Sequence, residues 1–120
     1  MRRGSSLKKQ FTNYLELRIK LEKPIKIALC GIGTVGKGVL ELFDKNIELI
    51  RQRIGKDIQI VKALEKDSEK IKTSGLTSEQ VSDSLDFVLE DPEIDIVIEL
   101  IGGDTIAKEI ILKALKNGKR

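Results

Sequence analysis

The strongest constraint on the fold of this chain is a glycine-rich turn that directly follows a short apolar run. The run is Ile25–Cys30, and the turn after it has the spacing G-x-G-x-x-G. In such a turn the first glycine, Gly31, permits a tight change of direction, and the second, Gly33, lets backbone N–H groups approach a phosphate. The third, Gly36, lets the following helix lie close to the strand. The pattern predicts a strand, a phosphate-binding turn and a helix N-terminus, with a purely structural glycine loop as the alternative.

Apolar residues after the turn recur at steps of three and four, which is typical of an amphipathic helix. They are Val35, Val39, Leu42, Phe43, Ile47, Ile50 and Ile54. Gly55 is placed to end this helix. A second strand is predicted over Ile58–Leu64, and a strong buried strand over residues 94–101. Between them, residues 65–82 are polar and hard to assign, with a short strand expected near Val81.

Two more helices complete the prediction. Residues 85–90 form a short helix that ends before Pro92, and residues 106–115 form an amphipathic helix that Asn117 and Gly118 end. Strands that alternate with helices at this spacing indicate a parallel sheet with right-handed crossovers. The predicted fold class is therefore α/β, a Rossmann-like doubly wound parallel sheet, truncated before its last strands.

Residues 1–23 differ from the rest, because their basic residues precede any acidic one. The first carboxylate is that of Glu16. The basic residues before it are Arg2, Arg3, Lys8 and Lys9. We expect a loosely ordered basic extension here, with a helix over residues 11–21 as one conformation, and one domain over residues 24–120. A mitochondrial-type presequence is the alternative, whereas a secretory signal would need an apolar core that this segment lacks.

The composition excludes several classes of function. The 120 residues suit one domain, and 22 basic against 19 acidic residues, a net charge of +3, are too mixed to indicate nucleic-acid binding. No apolar run approaches the roughly 20 residues that cross a bilayer, so no membrane partner is expected. With no histidine and one cysteine, no metal site is expected. That cysteine, Cys30, ends an apolar strand and is interpreted as a small buried hydrophobe in a cytoplasmic protein.

Ligands of open α/β sheets bind at the carboxyl ends of the strands, where this chain has three loops. The loops cover residues 31–36, 64–67 and 102–105. In the second loop, Glu65 would accept hydrogen bonds from the ribose hydroxyls of NAD and repel a 2′-phosphate, whereas Lys66 would pair with that phosphate. A solvated charged turn is the third interpretation. The sequence therefore leaves the choice between NAD and NADP open.

The third loop begins with Gly102 and Gly103. Two bare backbone positions would leave room for a nicotinamide or a ribose, and a loop that needs positive φ ahead of a helix is the alternative. Glu99, in the apolar strand before them, is expected to face a polar crevice or to be paired. No nucleophile and base are spaced for catalysis, so no catalytic residue is assigned.

Three longer stretches carry a likeness to a known family. They are residues 27–39 around the glycine turn, residues 46–55 at the end of the long helix, and residues 91–103, where the likeness is strongest. Together they resemble homoserine dehydrogenases. The resemblance implies the NAD- or NADP-binding domain of an oxidoreductase that interconverts homoserine and aspartate semialdehyde, on the route to threonine, methionine and isoleucine.

The resemblance also implies roles for the loop residues. Ile32, Gly33, Thr34 and Val35, between Gly31 and Gly36, would lie against the cofactor pyrophosphate, Glu65 and Lys66 near the adenosine ribose, and Gly102 and Gly103 toward the nicotinamide. One departure follows the glycine pair, where Asp104 and Thr105 replace the more usual Thr-Glu-Pro.

In the family, a further strand and a separate substrate domain follow the helix that ends near Gly118, whereas this sequence stops at Arg120. We therefore expect cofactor binding without meaningful dehydrogenase activity. The strand at residues 94–101 would be an apolar sheet edge, open to a second copy or to a complementary chain. There are two alternatives. The chain could be a non-catalytic dinucleotide-sensing module, or the cofactor half of another oxidoreductase that acts on an aspartate derivative.

Overall fold

Helices and strands alternate along the chain after an N-terminal helix. The computed structural model describes the backbone of residues 2–120, and the side chains of these residues except 2–6 and 20. The helices are α1 (Arg2–Leu21), α2 (Thr34–Ile54), α3 (Ser68–Thr73), α4 (Leu85–Leu89) and α5 (Thr105–Lys116), and the strands are β1 (Ile25–Cys30), β2 (Ile58–Leu64), β3 (Val81–Ser82) and β4 (Ile96–Glu99). No helix in this described range is both long and apolar enough to cross a membrane.

The four strands form one parallel sheet in the order β3-β2-β1-β4. β1 pairs with β2 on one side and with β4 on the other, so that Cys30 at its carboxyl end lies opposite Leu64 and Glu99. The carboxyl ends of three strands therefore meet at one edge of the sheet, which is where folds of this class bind their ligands. The predicted Rossmann-like parallel sheet is confirmed.

Apolar side chains cover both faces of the sheet, because successive residues of a strand point to opposite sides. One cluster includes α4 and α5 and consists of Ala28, Cys30, Leu64, Val88, Leu89, Ile94, Ile110 and Ala114. The other consists of Leu29, Ile32 and Ala63, with Val39 and Leu40 of α2 and Ile71 of α3 packed against it. Helices thus flank the sheet on both sides, as a doubly wound fold requires.

α2 ends where the sequence predicts, and its end is tied to the start of β2. Gly55 adopts a left-handed conformation with φ of 75°, and its N–H donates to the carbonyl oxygen of Arg51 at 2.8 Å. Arg51 also places its Nε 2.6 Å from Oδ1 of Asp57. Burial works to raise the pKa of Asp57, but hydrogen bonds from Arg51 and Gln59 outweigh it and hold that pKa below its usual value. The pair fixes the turn between the two elements.

β4 is shorter than the strand predicted over residues 94–101. At its start, the N–H of Ile94 donates to the carbonyl oxygen of Asp91 at 3.2 Å and forms a turn. At its end, Oε1 of Glu99 accepts a hydrogen bond from the N–H of Gly102 at 2.8 Å. Leu100 still donates its N–H to the carbonyl oxygen of Cys30 at 2.8 Å, and the chain turns after it. The apolar residues at both ends of the predicted strand therefore lie outside β4.

α3 occupies the polar stretch that the sequence left unassigned. The side chain of Asp67 begins it by accepting hydrogen bonds from the N–H groups of Glu69 and Lys70. The helix has six residues, and Ile71 packs it against the core. The short strand expected near Val81 is present as β3.

The segment expected to be a loosely ordered extension, with helix over residues 11–21, is one helix from Arg2 to Leu21. Ile19, near its end, is buried and joins α1 to the domain. On the rest of its surface, five apolar side chains are more than half exposed: Leu7, Phe11, Tyr14, Leu17 and Leu21. We call these five residues the outer stripe of α1, and the described part of the chain leaves it uncovered.

The last residues of the chain run along the outer edge of β4. The N–H of Val97 donates to the carbonyl oxygen of Arg120 at 2.7 Å, and the N–H of Arg120 donates to that of Asp95 at 3.0 Å. Beside them, Lys119 is buried, and its Nζ donates to two carbonyl oxygens of the loop before β4 at 2.5 and 2.9 Å. The edge of β4 is therefore covered at its amino end, whereas the sequence led us to expect an edge open along its whole length.

We predict that Lys119→Met lowers the free energy of unfolding by about 1–3 kcal/mol, because the carbonyl oxygens of Asp91 and Ile94 lose a charged donor. Lys116→Met, at the exposed end of α5, is the matched control and should change that free energy by less than about 0.5 kcal/mol. Urea unfolding followed by circular dichroism measures both variants. Equal stability of the two would show that the Lys119 contacts do not hold the loop.

Candidate dinucleotide-binding site

The turn after β1 is held against two neighbouring strands. The N–H of Gly31 donates to the carbonyl oxygen of Leu64 at 2.8 Å, which ties the turn to the end of β2. Gly31 has a φ of +100°, and a Cβ at this position would lie 3.0 Å from Cγ1 of Ile101. Both its conformation and its contact with the loop after β4 therefore require glycine.

The third glycine of the turn sets the distance between α2 and the sheet. A Cβ on Gly36 would lie 2.4 Å from the carbonyl oxygen of Gly31, which is far inside van der Waals contact. Only a residue without a side chain allows the first turn of α2 to lie this close to the end of β1. The sequence assigned this role to Gly36, and the contact confirms it.

The N-terminus of α2 opens at the carboxyl edge of the sheet. The bonds of the helix begin with the N–H of Lys37, which donates to the carbonyl oxygen of Gly33 at 2.9 Å, so the N–H groups of Thr34, Val35 and Gly36 have no partner within the helix. The first turn holds no acidic residue, and no side chain caps it among the described residues. Such a helix end favours an anion, through its N–H groups and its dipole.

Gly33 leaves an open surface in front of that helix end. Among the atoms that the structure describes, a Cβ built on Gly33 would meet only the Nζ of Lys70 on α3 within 4 Å, at 3.9 Å. The backbone here is therefore accessible to a ligand, and an ammonium group lies next to it. This is the arrangement that a phosphate group needs for close approach to a glycine turn.

Glu65, the first residue after β2, is fixed between two loops. Its Oε1 accepts a hydrogen bond from the N–H of Ile32 at 3.0 Å, and its Oε2 accepts from those of Lys66 and Asp67 at 3.1 and 3.2 Å. Partial burial works to raise the pKa of Glu65, but these three donors and the nearby charge of Lys70 outweigh it and hold that pKa below its usual value. The side chain is thus a charged, oriented acceptor, not a solvated member of a turn.

These elements enclose a cleft of about 460 Å³. Its lining comes from the glycine turn, the end of β2 and the turn after it, α3, the start of α4 and the segment before it, the loop after β4, and α5. The lining residues are Gly31, Gly33, Leu64, Glu65, Lys66, Lys70, Asp83, Leu85, Leu100, Ile101, Ile106 and Glu109. The cleft combines an apolar floor with charged groups of both signs at its rim, which suits a ligand that carries rings as well as phosphates.

The structure brings together some of the residues that the sequence selected. Gly31, Gly33, Glu65 and Lys66 line the cleft. Ile32 is buried, and its N–H group is engaged by Glu65. The first turn of α2, which follows Gly33, contains Thr34, Val35 and Gly36.

The second glycine pair has a different position. Gly102 and Gly103 have φ of 76° and 85°, are exposed, and do not contribute to the cleft lining. Asp104, at the N-cap of α5, makes no capping hydrogen bond with its side chain. The expectation that Glu99 would be paired is confirmed, because its side chain accepts the N–H of Gly102. Contact of the two glycines with a nicotinamide stays a prediction.

Sequence reasoning missed several walls of the cleft. Lys70, Asp83, Ile106 and Glu109 all line it, and none was selected. Lys70 lies in the stretch that gave no periodic signal, and Glu109 lies on the polar face of a helix whose apolar face alone was used for the prediction. Only the packing of α3 and α5 around the turn reveals them.

Cys30 belongs to the core beneath the cleft. Its side chain is fully buried, and burial, with a smaller contribution from the charge of Glu99, raises its pKa to about 12. The thiol is therefore protonated and unreactive at neutral pH. This supports the interpretation of Cys30 as a small buried hydrophobe. The described residues also contain no group of three or more acidic or cysteine side chains placed to hold a metal ion.

Comparison with known proteins agrees with this geometry. The family model described as the NAD-binding domain of homoserine dehydrogenase matches residues 31–120. The chain belongs to this family. The resemblance seen in the sequence and the NAD(P) cofactor are thereby confirmed, and the residues present fit a dinucleotide, because the open Gly33 and the unpartnered N–H groups of α2 form a cradle for phosphate.

Homoserine dehydrogenases of Methylobacillus glycogenes and Pseudomonas aeruginosa are each 42% identical to the chain over 97 residues, which is 81% of its length. The crystal structure of a homoserine dehydrogenase from Thiobacillus denitrificans matches with a TM-score of 0.76 and 41% identity over 82% of this chain. An NAD-binding protein from Listeria innocua, 20% identical with a TM-score of 0.62, shares the fold.

The match covers a small part of each relative. The chain spans 24% and 22% of the two curated relatives and 22% of the crystallised enzyme. It corresponds to their NAD-binding domain, and the activity of the whole enzymes does not follow from the match alone.

We predict that Gly36→Ala lowers the free energy of unfolding by about 1–3 kcal/mol or more, because the new methyl group overlaps the carbonyl oxygen of Gly31. Gly38→Ala, two residues further along α2 and on its exposed side, is the matched control. A Cβ there meets nothing within 4 Å, and the substitution should stabilise the helix by about 0.5–1 kcal/mol. Thermal unfolding of both variants tests the opposite signs, and the same sign for both would contradict the prediction.

Proposed function

We propose that this chain binds NAD(P) in the cleft and forms the cofactor-binding part of a homoserine dehydrogenase, which converts L-homoserine and NAD(P)⁺ to aspartate semialdehyde and NAD(P)H. The observation that carries the proposal is the open backbone at Gly33 in front of the unpartnered N–H groups of α2. The family match over residues 31–120 supports the same cofactor.

Different residues of the cleft would bind different parts of the dinucleotide. The N–H groups of Thr34, Val35 and Gly36 would receive the pyrophosphate, with the ammonium group of Lys70 beside it. Glu65 would receive the adenosine ribose at the far side of the turn. The dinucleotide supplies the hydride acceptor or donor of the reaction when it is bound, whereas the protein supplies position and charge.

The chain by itself is proposed to bind the cofactor without turning over homoserine. Hydride transfer needs cofactor and substrate held within reaction distance, and this positioning provides much of the rate. The match covers 24% of the length of the Methylobacillus glycogenes enzyme. The titratable side chains that line the cleft are Glu65, Lys66, Lys70, Asp83 and Glu109.

We also propose a cytoplasmic location for the protein, since its one cysteine would stay a thiol there.

We predict that Gly33→Ala weakens NADH binding by about tenfold or more, because a methyl group would stand where the phosphates approach the backbone. The fold should be unaffected, since the one described atom within 4 Å of the new Cβ is at the flexible end of the Lys70 side chain. Calorimetric titration of the purified chain with NADH measures the dissociation constant, and circular dichroism confirms folding.

Gly38→Ala controls for the effect of the same change on α2 away from the turn, and should bind NADH like the parent chain. Equal binding by the Gly33→Ala variant would show that phosphates do not lie at the turn. A homoserine-dependent change in NAD(P)H absorbance, measured with the chain alone, would contradict the proposed lack of turnover.

We further propose that the part of β4 beyond Val97 pairs with a second copy or with a complementary chain, because β4 is an edge strand whose outer side the last residues of the chain cover only at its start. Light scattering of the purified chain should then show a mass that rises toward the dimer as concentration increases. A constant monomer mass up to millimolar concentration would exclude pairing between copies, and a complementary chain would stay as the partner to test.

A further inference from the structure

The outer stripe of α1 lies on a helix that projects from the domain. The molecule measures 60 × 30 × 24 Å, and residues 7–14 of α1 are exposed. The family model begins at residue 31, so α1 lies outside the residues that it matches. We propose that α1 lies on the surface of an anionic lipid bilayer and contacts it through the outer stripe. This role is separate from dinucleotide binding in the cleft.

The outer stripe faces away from the domain. With about 100° between successive residues of a helix, its five side chains fall within an arc of about 120°. Ile19, the buried side chain that joins α1 to the domain, lies about 140° from the middle of this arc. From Leu7 to Leu21 the stripe is about 21 Å long. An arc of this width is typical of a helix that buries a whole face, whereas a coiled coil uses a narrower one.

The composition of the stripe suits the boundary between lipid and water. The ring of Tyr14 can lie among the acyl chains while its hydroxyl stays in water. Gln10 and Arg18 fall within the same arc. The aliphatic part of the Arg18 side chain can lie along the apolar surface while its guanidinium reaches a lipid phosphate. Such a mixture is too polar to cross a bilayer, and α1 is accordingly not a candidate span, but an interfacial helix tolerates it.

The charge of α1 identifies the kind of surface. The helix contains six basic residues and one acidic residue, a charge of +5, whereas the rest of the chain contains 16 basic and 18 acidic residues, a charge of −2. A helix is about 10–12 Å thick, so its basic side chains lie within about one Debye length of a surface that the stripe contacts. An anionic bilayer therefore attracts α1 more strongly than the rest of the molecule. The sequence excluded a membrane partner only because no segment could cross a bilayer, and a helix on the surface needs no such segment.

A second copy of the chain fits the stripe less well. Two copies that pair along α1 would bring two charges of +5 together, and like charges repel. The stripe is one helix wide and about 21 Å long, which is far smaller than the roughly 800 Å² per partner of a stable interface. A bilayer needs neither a complementary shape nor a minimum area, because each apolar side chain enters it independently.

Co-sedimentation of the purified chain with lipid vesicles tests the proposal. We expect binding to vesicles that mix phosphatidylcholine with phosphatidylglycerol, and little binding to phosphatidylcholine alone. Binding should fall as the salt concentration rises, because salt screens the attraction. The chain has one tyrosine and no tryptophan, so its intrinsic fluorescence comes from Tyr14 in the stripe. Quenching of this fluorescence by acrylamide should decrease when the mixed vesicles are added.

Two matched pairs of variants separate the apolar contribution from the charge. Leu7→Gln should weaken binding to the mixed vesicles about fivefold or more, because one leucine no longer enters the lipid. Leu115→Gln on α5 is its control, since Leu7 is 65% exposed and Leu115 is 62% exposed, and it should bind like the parent chain. Lys9→Gln should weaken binding about fivefold at low salt. Lys108→Gln, at the exposed start of α5, is the control for the charge and should have a much smaller effect.

Each contrary result would overturn the proposal. Absence of binding to the mixed vesicles, or equal binding to phosphatidylcholine alone, would exclude an anionic bilayer as the partner. Binding that leaves the quenching of Tyr14 unchanged, or that Leu7→Gln and Leu115→Gln weaken equally, would place the lipid contact on another surface. A chain that ignores vesicles but dimerises in light scattering, with the dimer lost in Leu7→Gln, would show that the stripe binds a second copy. If Leu7→Gln fails to fold by circular dichroism, the quenching of Tyr14 in the parent chain decides the question.

Discussion

The cleft depends on the contact between Gly36 and the carbonyl oxygen of Gly31. Without a side chain between them, the first turn of α2 lies against the end of β1, and the N-terminus of the helix reaches the centre of the carboxyl edge of the sheet. Every other feature of the site is positioned relative to that helix end. Gly33 opens in front of it, Glu65 joins it to β2 through Ile32, and the loop after β4 packs against Gly31.

The connection between α4 and β4 is held by charged side chains. Lys62 on β2 places its Nζ 2.7 Å from Oδ2 of Asp91 and 4.0 Å from the centre of the Phe87 ring. The hydrogen bond from Lys62 is the main reason why the pKa of Asp91 is lowered. Lys119 binds the backbone of the same loop. Two lysines from distant parts of the chain thus fix the connection between α4 and β4, which a sheet with short strands would otherwise leave loose.

Much of the fold could be predicted from the sequence, because its elements carry periodic apolar patterns and glycine stops. β2 and the end of α2 at Gly55 follow from such local signals. α3 did not, because its five polar residues carry no periodic apolar pattern, and the helix depends on its cap at Asp67 and on the packing of Ile71 against the core. The ends of β4 were also not predicted, since they are set by two turns, one between Asp91 and Ile94 and the other between Glu99 and Gly102.

In the site, the glycine turn and Glu65 could be predicted because each has a recognisable position in the sequence pattern. The hydrogen bond of Glu65 with the N–H of Ile32 could not be predicted, because the two residues are 33 positions apart. The position of Lys70 could not be predicted either, because it depends on how α3 packs.

The outer stripe of α1 has a consequence for the dynamics of the molecule. Ile19 near its end is buried, while Leu7, Phe11 and Tyr14 are exposed. Most of the stability of a helix in a protein comes from the packing of its apolar face, and these three side chains contribute little of it. We therefore expect the amides of residues 7–14 to exchange through local fraying, with a free energy well below that of global unfolding, and the amides of β1 to exchange when the domain opens. Local stability would then be lowest in α1.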